Sequence, residues 1–345
     1  MRTVTILLLQ LLFFGKAVLA TPVAEPDSGR YSGFVIALAW PKAWAKEAGD
    51  GYDRLMRGLG FNEEGFYRVG HAALVLVNGA DSSCHYFDFG RYHAPVGMGR
   101  VRDAKTDYEL VIGIKAIPNG KRIKNLDEIL CEVQSNSSTH ASGPLYASYV
   151  RIDFTKAYNE AKQFQHQGVI PYGPFERPGL NCSRFVREVI LAGDPNWAHA
   201  LRLEVVPMIT PSVLYPVSAL YHWTKVPGCL DEAAELLKEQ LSALPDSLFR
   251  SVIPEPACPL NVPTTAQWLA GEGAGSWYNL IQQGEDFLLT RYAQTGEQQC
   301  AVVMQQTAGE DWDFSQPFTI TYPSHCAEAN LLVDNKQVTL RPVDW

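Results

Sequence analysis

The stretch "GLNCSRFVREVILAG", Gly179 to Gly193, decides how this chain is read. Asn181 is a strong N-cap residue, which puts Cys182 at the first helical position. Phe185, Val186, Val189 and Ile190 recur at helical spacing and form one apolar face. Gly193 supplies the stop. The spacing therefore predicts a helix that begins at a cysteine. The first amides of a helix have no partner inside it, and they favour thiolate over thiol. The same amides can hold a developing oxyanion. A disulfide or a plain core position is the other use of such a cysteine, and "NCS" also fits a glycosylation sequon.

A thiolate nucleophile needs a base within reach and a group that orients the base. Of the eight histidines, His71 opens the strand-like run "HAALVLV", where Ala72 and Ala73 leave room for an approaching element. The run "CHYFDFG" at 84–90 is its natural hairpin partner, joined through "NGADSS". Alternate strand residues share a face. With Phe87 and Phe89 packed beside Leu74 and Leu76, Tyr86 and Asp88 fall on the face of His71, and Asp88 becomes its diagonal neighbour. A register slip of one residue puts His85 in that place instead. Cys84 and His93 beside the hairpin raise the question of a metal, but their spacing matches no ligand pattern. No metal and no cofactor is expected.

The rest of the chain sets the context. It has 345 residues and a formal net charge of -8, so nothing global attracts nucleic acid. Residues 1–20, "MRTVTILLLQLLFFGKAVLA", read as a cleaved export signal ending in a small-residue site at Ala20. No later run is apolar enough to span a bilayer. Residues 31–205 alternate strand and helix patterns, among them helices at 42–60 and 153–168 and a strand over "DYELVIGIKAI". Residues 206–261 are a proline-rich connector holding an amphipathic helix, "LDEAAELLKEQLSAL". Residues 262–345 carry short alternating runs only, which predicts an all-β tail, sandwich-like or a partial barrel. Seven cysteines in an exported chain permit disulfides. Cys300 and Cys326, on neighbouring tail strands, are the expected staple, with Cys229 and Cys258 a weaker pair and Cys84 and Cys131 reduced.

Histidine strand, polar partner, then a cysteine helix is an order that resembles a circularly permuted papain-like fold. Within the superfamily that includes the NlpC-type peptidases and the lecithin retinol acyltransferases, "NCSRFV" resembles the nucleophile motif of the acyltransferase-like branch and "GHAALVLV" its histidine strand. The segments "GHAALVLV", "YFDFGRYH", "NCSRFV" and "GAGSWY" resemble more closely a bacterial family with no assigned substrate. The resemblance implies an α+β fold, a permuted papain-like (NlpC-type) domain followed by a small all-β domain. It implies Cys182 as nucleophile, His71 as base and Asp88 as orienter. The acyltransferase-like branch often has a second histidine at that third position. The expected function is an exported, periplasmic or secreted, cysteine hydrolase of amidase or peptidase type. It would act on peptide, amide or acyl-ester substrates, cell-wall peptides among them. Acyl transfer from lipid esters uses the same acyl-enzyme and is the nearest alternative. A non-catalytic binding protein, with Trp277 and Tyr278 at its surface, is the other.

Overall fold

The computed structural model describes residues 29–42, 45–46, 62–63, 66–67, 70–139, 143–173, 178–205, 213–220, 223–226, 255–272, 274–310 and 312–343. The export signal, His140, His222, Cys229 and the connector helix lie outside the described residues. The strands of the first sheet are β1 (Gly33–Trp40), β2 (His71–Asn78), β3 (Cys84–Gly90), β4 (Met98–Arg102), β5 (Leu145–Ile152), β6 (Ile170–Pro171) and β7 (Thr224–Val226). They lie in the order β6-β4-β3-β2-β1-β5-β7, and every pairing is antiparallel. β1, "GFVIALAW", is buried at all eight positions, as a central strand covered on both faces must be.

Among the described residues, five helices accompany this sheet: α1 (Leu126–Ser135), α2 (Phe154–His166), α3 (Cys182–Ala192), α4 (Trp197–Val205) and α5 (Leu214–Ala219). Phe185, Val186, Val189 and Ile190 of α3 pack against Ala72, Leu74, Leu76, Phe87 and Phe89. The other sheet face buries Trp40, Ala73, Val75 and Tyr86 with Ile129, Leu130 and Val133 of α1. The periodicity of 153–168 is realised in α2, where the Asp153 side chain accepts from Lys156 N.

Two expected elements differ. Residues 107–117 form no strand; Tyr108–Leu110 is a short 3-10 turn and the rest is irregular. Their alternation still has a cause, because Leu110 and Ala116 bury into the α1 side of the core. The amides take other partners: Gly113 and Ile114 donate to the Glu132 carboxylate, Ile117 to Asn125 Oδ1 and Ala116 to Ser82 O. The helix expected over 42–60 does not start at its beginning, since Ala45–Lys46 is a strand paired with Phe66–Tyr67. Its remainder from 47 lies outside the described residues.

The tail strands are β8 (Gln267–Leu269), β9 (Ser276–Gln283), β10 (Asp286–Ala293), β11 (Gln298–Ala308), β12 (Thr319–His325), β13 (Glu328–Val333) and β14 (Lys336–Pro342). They form a single sheet in the order β8-β9-β10-β11-β14-β13-β12. Its two edges approach each other, because the Gln267 side chain donates to Phe318 O at 3.1 Å and accepts from Ile320 N at 2.9 Å. The result is one curled, nearly closed sheet around Tyr278, Leu289, Met304, Leu331 and Leu340. Cys300 and Cys326 are joined by a disulfide, as their placement on the tail runs predicts. Residues 31–345 form one compact unit.

Candidate active site

Gly70 turns the chain into β2 with φ of +73°. A Cβ there would meet the Trp40 carbonyl oxygen at 2.7 Å and Val213 Cγ2 at 2.6 Å. Glycine thus lets His71 stand at the very start of the strand, opposite Trp40. The Trp40 indole stacks on the imidazole, with centroids 5.9 Å apart, and is itself fixed by Nε1 donating to Gln134 Oε1 at 2.9 Å. The Tyr92 ring stands perpendicular to the imidazole, with centroids 6.3 Å apart.

Ala73 pairs with Asp88 across the hairpin, so Asp88 is the diagonal neighbour of His71. His71 Nε2 lies 3.2 Å from Asp88 Oδ2. Asp88 is fully buried, and burial alone would raise its pKa. Arg102 reverses that: Nε donates to Oδ1 at 2.9 Å and Nη2 to Oδ2 at 2.6 Å. With His71 adding to the effect, the Asp88 carboxyl is held at about 2. The Tyr86 hydroxyl also lies within 3.1 Å of Oδ2, and Arg102 packs over the Tyr92 ring at 3.5 Å.

Cys182 is buried at the start of α3. Asn181 caps the helix by accepting from Arg184 N at 2.8 Å. The first intrahelical bond runs from Phe185 N to Asn181 O. The amides of Cys182 and Ser183 come before it. Burial works against a thiolate here, but hydrogen bonding and charge from His71, the Ala72 amide and the Tyr172 hydroxyl outweigh it and lower the Cys182 pKa. Since Nε2 of His71 faces Asp88, Nδ1 is the ring nitrogen left for the sulfur. Burial also opposes charge on His71, yet Tyr92, Asp88 and Cys182 together hold its pKa well above the usual imidazole value. Burial and the neighbouring Cys182 push Tyr172 far up, so its hydroxyl stays a neutral donor. The arrangement can hold a thiolate beside an imidazolium.

The structure thus brings together Cys182, His71 and Asp88. His85 is elsewhere: its Nε2 sits 2.8 Å from Ser83 Oγ at the hairpin turn. His93 lies between Arg100 Nη2 and Ser276 Oγ, and Cys84 is buried, its thiol pushed up to about 11 mainly by desolvation. Among the described residues no cluster of His, Cys, Asp and Glu could hold a metal ion. Trp277 and Tyr278 are 2% and 0% exposed, so neither forms the surface platform that a binding protein would need. Arg102, Tyr172, Tyr92 and Trp40 were not singled out from the sequence. The signal for Arg102 was the alternation of Arg100 and Arg102 in "GRVR", two arginines on one strand face. Tyr172 carries no such mark, being a tyrosine in a proline-glycine loop.

Residues 35–198, which include His71, Asp88 and Cys182, match the family of type VI secretion system effectors described as TseH-like. Residues 266–343 match a family described as the DUF6695 C-terminal domain. Among solved structures, the crystal structure of the type VI secretion system effector TseH is 21% identical. It covers 55% of this chain and 87% of its own, with a TM-score of 0.35. No curated protein matches the sequence.

Proposed function

We propose that this protein is an exported cysteine hydrolase of permuted papain-like (NlpC-type) fold, acting on amide or peptide bonds, with cell-wall peptides as the leading substrate class. The observation that carries the reading is the buried contact of His71 with both Asp88 and Cys182, the sulfur standing at the start of α3. The thiol proton passes to His71, and the thiolate attacks the carbonyl carbon. His71 then gives its proton to the leaving nitrogen as the carbon–nitrogen bond breaks. Water, deprotonated by His71, attacks the thioester, releasing the acid and the thiol. Asp88 holds the imidazole in orientation and stabilises its cation. The Tyr172 hydroxyl and the first helix amides are placed to receive negative charge on sulfur or oxygen.

Export is supported by the signal-like residues 1–20 and by the match of residues 35–198 to a family of secreted effectors. No helix among the described residues is long and apolar enough to cross a membrane. The test is a p-nitrophenyl acetate burst together with muropeptide digestion, wild type against Cys182→Ala. A nitrophenolate burst and new peptide ends from the wild type only are expected. A folded wild type without a burst would sink the nucleophile.

A further inference from the structure

β4 is a short strand, yet it delivers Arg102 directly opposite Asp88. The loop before it and the turn after it are both gripped by the C-terminal sheet. On the loop side, Tyr92 bridges Ala274, His93 N donates to Ala274 O at 3.3 Å, and Gly97 N donates to Glu272 Oε2 at 2.9 Å. His93 Nε2 lies 2.9 Å from Ser276 Oγ. On the turn side, Arg291 donates to Asp107 Oδ1 at 2.8 Å and to Glu109 Oε2 at 2.6 Å. Cys326 N donates to Thr106 O at 3.1 Å. Arg100, on β4 itself, ties the two sides together: it makes two bonds to Asp107, at 2.8 and 2.7 Å, and one to Tyr92 O at 2.8 Å.

We propose that the C-terminal sheet is a working part of the catalytic site, with Arg291 as a positioning residue. Through Asp107 and Arg100 it holds β4 so that Arg102 meets Asp88. This rests on the hydrolase reading above. A tail that only adhered would do so through apolar packing, which is the cheaper bond for stability. Here the contacts are buried, directional ion pairs, and they converge on the two segments that bound one strand. The cations Arg100, Arg102 and Arg291 balance the carboxylates Asp88, Asp107 and Glu109 one for one. Removing Arg291 leaves Glu109 without this cation and Asp107 with Arg100 alone, so the turn after β4 is free to shift. A displacement of an ångström at a catalytic group is enough to cost rate.

The experiment uses the full chain as wild type, Arg291→Gln and Arg291→Lys. Iodoacetamide alkylation of Cys182 is followed against pH by peptide mass spectrometry, and p-nitrophenyl acetate hydrolysis supplies kcat and KM. Arg291→Gln is expected to slow alkylation at neutral pH roughly tenfold by moving the thiol pKa upward. It is also expected to lower kcat with KM unchanged, and Arg291→Lys to recover part of both. Should Arg291→Gln not fold, Ser276→Ala removes the hydroxyl that meets His93 and Gln299 and should give a smaller shift of the same sign. A folded Arg291→Gln with the wild-type profile overturns the inference. So does an unchanged Ser276→Ala where Arg291→Gln fails to fold. An inert Cys182 in the wild type overturns the hydrolase reading first, and this inference with it.

Discussion

His71 and Asp88 meet through a single carboxylate oxygen, Nε2 to Oδ2 at 3.2 Å, and Arg102 claims that same oxygen at 2.6 Å. Asp88 therefore serves two cationic partners from a fully buried position. The guanidinium keeps the carboxyl ionised, and the ionised carboxyl supports charge on the imidazole.

Asp88→Asn should separate these roles. His71 loses the negative charge of its partner, so its raised pKa falls and the lowered Cys182 pKa climbs. Hydrolysis should rise with pH through the thiol pKa and fall through the imidazole pKa. In the variant both limbs move inward, and the maximum drops on the order of a hundredfold or more. The change also strands the Arg102 guanidinium, which costs about 3 kcal/mol or more, read as a lower urea midpoint. An unchanged pH profile would exclude Asp88 from the site.

Acid stability follows from the same carboxylate. Its folded pKa of about 2 lies below the unfolded value of 3.8, so the contribution is present above 3.8 and is lost as pH falls toward 2. The contribution is on the order of 2 kcal/mol. Urea midpoints between pH 5 and pH 2 measure it. The slope attributable to this group disappears in Asp88→Asn.

Cysteine reactivity should run against exposure. Cys131 and Cys258 are exposed, while Cys182 and Cys84 are buried. At neutral pH iodoacetamide should label Cys182 first, Cys131 and Cys258 later, and Cys84 only on unfolding, its thiol being held at about 11. Labelling that simply follows exposure would refute the thiolate assignment.

Tyr172→Phe deletes the hydroxyl that meets Cys182 and keeps the ring stacked on Phe89. The expected loss is about tenfold to a hundredfold in kcat, with folding unaffected. A wild-type rate would show that the hydroxyl only fills space.

The Cys300–Cys326 bond closes a sequence separation of 26 residues. Its removal in Cys300→Ser/Cys326→Ser should cost about 3 kcal/mol of stability, on the loop-closure account. Non-reducing peptide mapping identifies the linked pair, and urea titration gives the cost.

How much of this was legible depended on the range of the interaction. The α3 cap, its apolar face and the hairpin register are local patterns, and each is written within about twenty residues of Asn181 or His71. The faces sorted correctly because Leu74, Leu76, Phe87 and Phe89 could only pack together. The 107–117 run misled because its alternation was real while its amides went to Glu132 and Asn125, side chains that periodicity does not register. The partnership of Arg102 with Asp88 and that of Tyr172 with Cys182 are tertiary. Neither has a spacing that a one-dimensional pattern can hold.

The boundaries of the two family matches fall at 198 and 266, as if the chain were two interchangeable parts. The pairing of Arg291 with Asp107 and Glu109 crosses that gap. Recombination that joined residues 35–198 to a foreign tail would leave Glu109 without this cation and Asp107 with Arg100 alone. The two halves of this chain are thus matched to each other, charge against charge, at this pairing. An expression fragment trimmed at the apparent boundary would expose the wall of residues that the tail now covers, beginning with His93 and Asp107.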